Sequence, residues 1–261
     1  MFLEMGEYLK QLLIVCPLVF LAGFVDAIAG GGGLISLPAY LFAGVPSHMA
    51  IGTNKFAMSI GTATASANYI RAKKVNFSIA IWSMLGALAG ASIGSNIALL
   101  IPDKVLTMMM VAALPVVAVF ILTRKELRTD DIQLKEMSKT KFTLTCIAIG
   151  LFIGMYDGMI GPGTGTFMIL AFTSLIGLDL VTSSGCAKLS NLASNVASLF
   201  VFLFSGQINF ALGIPAAICT TLGAVIGSRL AIKGGSKYIK AVIFLVLAML
   251  FVKFGYELFV K

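Results

Sequence analysis

The stretch Asp26–Gly33 reads DAIAGGGG, and a related stretch, Asp157–Gly165, reads DGMIGPGTG. Each contains the only acidic residue of a long apolar region. Glycine has no Cβ and loses much backbone freedom on ordering, so a cluster of glycines predicts a break in a helix. In hydrocarbon, broken backbone is tolerated only where protein or an internal cavity surrounds it, and a carboxylate there indicates a functional site. The two stretches therefore predict two halves of one buried site.

The composition indicates a membrane protein. Of the 261 residues, 59% are apolar and only 11% are charged, which is too little charge for the surface of a soluble domain. Phe77–Ile101 and Ile208–Ser228 contain no charge, and each reaches the roughly 20 residues needed to cross the hydrocarbon core. The net charge of +8 favours basic cytoplasmic loops over a nucleic-acid site. We predict an all-α polytopic protein of the plasma or inner membrane, with the lipid bilayer and not nucleic acid as its partner.

The second half of the chain repeats the first. Asp26, Gly30 and Gly32 match Asp157, Gly161 and Gly163, and after a short insertion Gly52, Lys55, Asn76, Gly90 and Gly94 match Gly185, Lys188, Asn209, Gly223 and Gly227. Internal duplication is a common construction of secondary transporters. We therefore predict a first transmembrane repeat, 1–123, a charged cytoplasmic linker, 124–141, and a second repeat, 142–261. Each repeat has about five apolar segments and one helix broken at its glycine-rich loop.

The distribution of basic residues bears on the topology. An odd number of crossings per repeat makes the two repeats inverted in the membrane. Ten crossings place the basic groups of 71–74, of the linker and of 229–240 on one side, which the positive-inside rule favours. Eight crossings, with Leu34–Ala43 and Phe167–Ile176 as re-entrant segments, move the last group to the other side. We predict ten crossings with both termini outside, and eight as the alternative.

Four charged residues lie well inside apolar segments: Asp26, Lys55, Asp157 and Lys188. Broken helices expose N–H groups at amino ends that carry partial positive charge, and a nearby lysine completes an anion site. Asp26 or Asp157 is then expected to carry a coupling proton or to switch a gate. The alternative is structural: Asp26 with Lys55, and Asp157 with Lys188, form buried ion pairs that hold each half together.

Polar residues follow both lysines at helical spacing. Ser184, Lys188, Asn191, Asn195 and Ser198 share one helix face, as do Lys55, Ser59, Thr62 and Ser66. Such faces are expected to meet a cavity or another helix instead of lipid, and hydrogen bonding between helices is the simpler alternative. The predicted substrate-binding residues are Gly31, Gly32, Asn54, Lys55, Gly163, Thr164, Lys188, Asn191 and Asn195. We predict no catalytic residue, metal site or cofactor, because no nucleophile–base pair or metal-ligand cluster is evident.

The chain resembles the TauE/SafE sulfite exporter family, also called the toluene-sulfonate uptake permease family. The resemblance covers nearly the whole chain and lies in Gly23–Gly33, Gly52–Lys55 and Gly154–Gly165. It implies a permease for small anions, often sulfur compounds such as sulfite or organosulfonates. The second repeat departs from the first at Cys186-Ala187, where Thr53-Asn54 is not echoed, so the two lysine sites are not expected to be fully equivalent.

These observations predict a secondary transporter for a small oxyanion, sulfonate or carboxylate, with Lys55, Lys188 and the glycine-loop amides binding the anion. The alternative is an anion channel without alternating access. A membrane enzyme is disfavoured by the lack of a catalytic constellation. The sequence leaves open the direction of transport, the coupling ion and assembly into an oligomer.

Overall fold

The structure is a computed structural model that describes residues 2–122 and 135–260. Its helices are α1 (Phe2–Ala29), α2 (Gly33–Phe42), α3 (Ser47–Arg71), α4 (Phe77–Leu100), α5 (Asp103–Leu122), α6 (Lys139–Met159), α7 (Thr164–Ala171), α8 (Leu180–Phe204) and α9 (Phe210–Val260). A π-helical turn, Phe172–Ile176, extends α7, and α9 bends at Gly235. The described residues are helices and their connections, so the predicted all-α class is confirmed. Most of the predicted linker, 124–141, lies outside the described residues.

Polar side chains fix where several long helices begin. Asp179 Oδ1 accepts hydrogen bonds from the N–H groups of Val181 and Thr182 at the start of α8, both at 3.0 Å. The first N–H groups of a helix have no partner within the helix, and such a cap satisfies them. Asn76 and Asn209, matched in the sequence repeat, cap α4 and α9 in the same way.

The predicted breaks occur at the two glycine clusters. Gly30 separates α1 from α2 with φ of 76°, and Gly161 and Gly163 separate α6 from α7 with φ of 92° and 78°. These angles lie in the left-handed region, where a side chain is strained and glycine is not. The predicted broken helices are therefore confirmed, and their cause is local backbone geometry.

Five helical stretches of the described chain are long and apolar enough to cross a membrane. They are Gly6–Ala29, Phe77–Leu100, Lys139–Met159, Leu180–Phe204 and Phe210–Ile243. The chain is thus a multi-pass membrane protein. By contrast, α2 has 10 residues and α7 has 8. At about 1.5 Å per residue each spans roughly half of the hydrocarbon core. The number of crossings, and the inverted orientation of the repeats, stay predictions.

Glycines bring helices of opposite halves into backbone contact. Gly90 of α4 faces the carbonyl oxygen of Leu151 in α6 so closely that a Cβ would collide with it. Gly223 of α9 faces the carbonyl oxygen of Phe20 in α1 in the same way. Small residues at every fourth position allow this approach in membranes. The fourth helix of each half in chain order, α4 or α9, therefore packs on the first helix of the other half.

The loops that precede α4 and α9 also contact the opposite half of the chain through glycines. A Cβ on Gly52 would meet the carbonyl oxygen of Gln207, and one on Gly185 would meet that of Lys74. These pairs correspond in the sequence repeat. The halves are thus interlocked, and α3 and α8 pack against each other between them. Interlocking brings the two glycine breaks to the middle of the molecule.

Candidate functional site

The two breaks contact each other directly. The N–H of Thr166, in the first turn of α7, donates to the carbonyl oxygen of Gly30 at 3.2 Å, and its Oγ1 donates to that of Ala29 at 2.8 Å. A Cβ at Gly30 would collide with the backbone of Gly165. Only glycine at these positions allows the two broken segments to approach so closely, so the site is built from both halves.

Two buried ion pairs flank the breaks, and each joins the two halves. Lys55 Nζ of α3 lies 2.5 Å from Asp157 Oδ2 of α6, and Lys188 Nζ of α8 lies 2.7 Å from Asp26 Oδ2 of α1. The expected pairing of Asp26 with Lys55 and of Asp157 with Lys188 is wrong. Because the halves interlock, each lysine reaches the break of the opposite half.

All four side chains are removed from solvent. Lys188 is 0% exposed, Lys55 2%, Asp157 3% and Asp26 4%. A buried charge is costly unless a partner of opposite charge or hydrogen bonds compensate it. Each ion pair therefore offsets part of the cost of burying its two side chains.

The surroundings of the two pairs differ. Lys55 Nζ also donates to Asn195 Oδ1 at 3.1 Å, and Ser194 Oγ donates to Asp157 Oδ2. For Lys188, the described residues supply one hydrogen-bond partner, Asp26. The first pair is thus embedded in a polar network and the second is not.

A small cavity lies between the breaks. Its volume is about 20 Å³, which is enough for about one water molecule. Its lining combines charged, amide, glycine and apolar residues: Asp26, Gly30, Gly33, Leu37, Ile51, Asn54, Lys55, Met58, Asp157, Ile160, Gly161, Thr164, Gly165, Asn191 and Asn195. The cavity is small, and the charged and amide side chains that line it are buried.

Most of the predicted site residues meet at this cavity. Seven of them line it: Asp26, Asn54, Lys55, Asp157, Thr164, Asn191 and Asn195. Lys188 does not line it and pairs with Asp26 instead. Gly31, Gly32 and Gly163 are also outside the lining, and Gly32 packs against the Cβ of Asp26. Their neighbours Gly33 and Gly165 take the places at the cavity wall.

Two amide side chains at the cavity lack hydrogen-bond partners. Asn54 Oδ1 and Asn191 Oδ1 are buried, and neither amide bonds to any of the residues that the structure describes. An amide can present either its oxygen or its two N–H donors to a neighbour. Buried polar groups are nearly always satisfied, so an unsatisfied one requires an explanation. The unsatisfied atom of each amide is its carbonyl oxygen, an acceptor, and the N–H groups of the same amides are the atoms that could donate to a ligand oxygen.

Backbone donors are also free at this point. Among the backbone hydrogen bonds of the described residues, none uses the N–H of Gly33 or of Gly165. These residues belong to the first turns of α2 and α7, where helix geometry leaves N–H groups without partners and adds partial positive charge. The free N–H groups at these helix starts thus belong to residues next to those named from the sequence, and their contribution to an anion site stays a prediction.

The predicted polar faces of α3 and α8 are buried. Thr62 is 1% exposed, Ser66 2% and Ser198 0%, so these faces do not meet lipid. Ser184 Oγ reaches the carbonyl oxygen of Ile28 in α1, which is a hydrogen bond between helices. Both predicted environments of these faces therefore occur. Lys55 and Asn195 line the cavity, and Ser184 forms a hydrogen bond to another helix.

Sequence reasoning missed two residues that shape the site. Ser194 binds Asp157, and Tyr156 Oη donates to the carbonyl oxygen of Pro162 at 2.7 Å, which fixes the second break. Ser194 was detectable in principle, since it lies three residues after Asn191 on the same helix face. Tyr156 carried no such signal, because its partner is a backbone group.

Comparisons with known proteins identify the family to which the chain is similar. The profile of the family described as "Sulfite exporter TauE/SafE" matches residues 15–254. A "Probable membrane transporter protein ORF9" of Sinorhizobium sp is 36% identical over 243 residues, covering 93% of this chain and 91% of that protein. A "Probable membrane transporter protein" of Haemophilus influenzae is 34% identical over 242 residues, covering 91% and 92%. "Probable membrane transporter protein YfcA" of Escherichia coli is 32% identical over 259 residues, covering 96% and 95%. No solved structure matches the chain.

Proposed function

The chain belongs to the TauE/SafE family and is a membrane transporter, and we propose that its cargo is a small oxyanion, sulfonate or carboxylate. We further propose that it works as a carrier and catalyses no chemical reaction. The observation that supports this cargo is the cavity itself. Lys55 supplies a positive charge there, and the side chains of Asn54 and Asn191, whose amide N–H groups are hydrogen-bond donors, also line it. These groups are suited to the oxygens of an anion.

The same geometry gives a route to proton coupling. In the closed state the charge of Lys55 is neutralised by Asp157 at 2.5 Å. An anion that binds Lys55 takes the place of this carboxylate. A buried carboxylate that loses its cation favours its neutral, protonated form. Anion binding would therefore bring a proton into the site, and anion and proton would cross together.

The burial of the site favours a carrier over a channel. Each charged or amide side chain at the cavity is less than a tenth exposed. An anion can reach Lys55 only after helices move apart on one side, and it can leave only after they move apart on the other. The short helices α2 and α7, one from each half, begin at this point, and we propose that they are the segments that move.

Counterflow in proteoliposomes tests the proposal. Vesicles containing the purified protein are loaded with unlabelled sulfite and diluted into radiolabelled sulfite, and competition by methanesulfonate, acetate and sulfate is measured. We expect saturable uptake driven by the internal anion and inhibited by at least one competitor. Uptake that rises linearly with concentration and needs no internal anion would establish the channel alternative. No uptake of any of these anions would remove the proposed cargo.

A further inference from the structure

We propose that the two ion pairs have different tasks, an inference that rests on the anion-carrier function proposed above. Lys55–Asp157 is the pair that opens: Lys55 turns to the anion and Asp157 takes the proton. The Lys188–Asp26 ion pair stays formed throughout and holds the two halves together. Ser194 and Asn195 act as positioning residues for the pair that opens.

The first argument concerns what each group keeps when its pair separates. Asp157 retains the hydrogen bond from Ser194 Oγ, and Lys55 retains Asn195 Oδ1 at 3.1 Å. Among the described residues, neither Lys188 nor Asp26 has a second side-chain partner. A buried charge without any partner is strongly unfavourable, whereas one that keeps a hydrogen bond is less so. The energetic penalty of opening is therefore lower for Lys55–Asp157.

The second argument concerns position. Lys55 and Asp157 both line the cavity, so an anion there contacts the ammonium directly. Lys188 is 0% exposed and is absent from the lining, with Asp26 between it and the cavity. An anion in the cavity would first meet the carboxylate of Asp26, which repels it. Lys188 is thus placed to neutralise Asp26 and not to bind the substrate.

The third argument comes from the sequence repeat. The register that matches Lys55 with Lys188 also matches Gly61 with Ser194 and Thr62 with Asn195. Glycine at 61 has no side chain to donate a hydrogen bond, and the hydroxyl of Thr62 is buried without a partner. The groups that support the first pair are therefore missing at the equivalent positions around the second. Two similar halves have acquired one adjustable and one permanent ion pair.

A comparison of stability tests the division of tasks without reference to transport. The purified variants Lys55→Met and Lys188→Met are melted beside the double variants Lys55→Met/Asp157→Asn and Lys188→Met/Asp26→Asn. We expect Lys188→Met to lower Tm far more than Lys55→Met, because only Asp157 keeps a donor when its lysine is removed. The double variant Lys188→Met/Asp26→Asn should recover most of the loss. Equal losses for the two single lysine variants would overturn the proposal.

A second measurement assigns the proton. Sulfite counterflow is compared with and without an inward proton gradient, and the ratio of the two rates is the readout. We expect the ratio to fall to one in Asp157→Asn and to stay above one in Lys188→Met/Asp26→Asn, whatever its absolute rate. Ser194→Ala should shift the pH profile of counterflow, and Ser194→Thr should restore it. A ratio of one in the Asp26 variant with a retained response in Asp157→Asn would overturn the assignment.

The two measurements also separate this inference from the function on which it rests. Wild-type vesicles that show no saturable counterflow of sulfite, methanesulfonate or acetate would contradict the anion-carrier function. The melting comparison would still show whether one ion pair is fixed and the other adjustable. Unequal Tm losses without transport would support the structural asymmetry and reject the proposed cargo.

Discussion

The backbone N–H of Asn76 donates to Cys186 Sγ at 3.3 Å, and at the equivalent place the N–H of Asn209 donates to Thr53 Oγ1 at 3.0 Å. Cys186 appears in the sequence as a departure from the repeat. In the structure it fills the same role as the threonine, since its sulfur accepts a hydrogen bond from the residue that caps a helix of the opposite half. The departure therefore leaves this contact between the halves intact.

This relationship predicts that Cys186→Thr folds and retains the stability of the wild type, because the hydroxyl is a better acceptor than the thiol. Cys186→Ala removes the acceptor and leaves a partly buried N–H without a protein partner, and the cost is at most the roughly 1–3 kcal/mol of a fully buried group. Thermal melts of the two purified variants measure the difference. A Cys186→Thr variant that melts below Cys186→Ala would show that space and not hydrogen bonding governs this position.

The glycine contacts between α4 and α6 give a second prediction. Gly90→Ala places a methyl group against the carbonyl oxygen of Leu151, so the helices must separate. Overpacking of this kind typically costs about 1–3 kcal/mol. Gly223→Ala should cost a similar amount, because it meets Phe20 in the equivalent way.

Gly6→Ala is the matched control for these glycines. Apart from its chain neighbours and its own helix backbone, no atom of the residues that the structure describes lies within 4 Å of a Cβ at Gly6, so alanine there should be neutral or stabilise the helix by up to about 1 kcal/mol. Melting temperatures of the three variants compare the positions directly. Equal Tm values for Gly90→Ala and Gly6→Ala would contradict the close approach of α4 and α6.

A third prediction concerns anion affinity. Lys55→Met removes the one ammonium that lines the cavity among the described residues. Loss of a hydrogen bond to a charged group costs about 1.5–3 kcal/mol, which corresponds to roughly 10- to 100-fold in affinity. We expect the half-saturation concentration for sulfite counterflow to rise by that factor. Lys104→Met, at an exposed position of α5, is the control and should leave it unchanged. Wild-type affinity in Lys55→Met would place the anion site elsewhere.

The sequence predicted those features of the site that have local causes. The breaks at Gly30, Gly161 and Gly163 could be predicted because clustered glycines favour backbone conformations that other residues avoid. Asp26 and Lys55 could be identified because a charge inside an apolar segment is costly. The partners of these charges were not predictable. Each lysine has two candidate carboxylates, and the choice depends on how distant helices interlock, which no local pattern encodes. The role of Ser194 escaped for the same reason, since its partner Asp157 is on another helix.

The last prediction concerns topology, which the fold leaves open because α2 and α7 are too short for a full span on length alone. Single cysteines are introduced at three exposed positions, Lys10, Lys139 and Lys237, in a background without the native cysteines. Ten crossings with both termini outside place Lys10 outside and the other two in the cytoplasm. A membrane-impermeant maleimide added to intact cells should therefore label position 10 and label 139 and 237 only after the membrane is broken.

Eight crossings, with α2 and α7 returning to the side from which they enter, keep 139 in the cytoplasm and move 237 outside. Labelling of 237 in intact cells would thus contradict ten crossings. Because the inverted orientation of the repeats requires an odd number of crossings in each, this result would also contradict the predicted inversion.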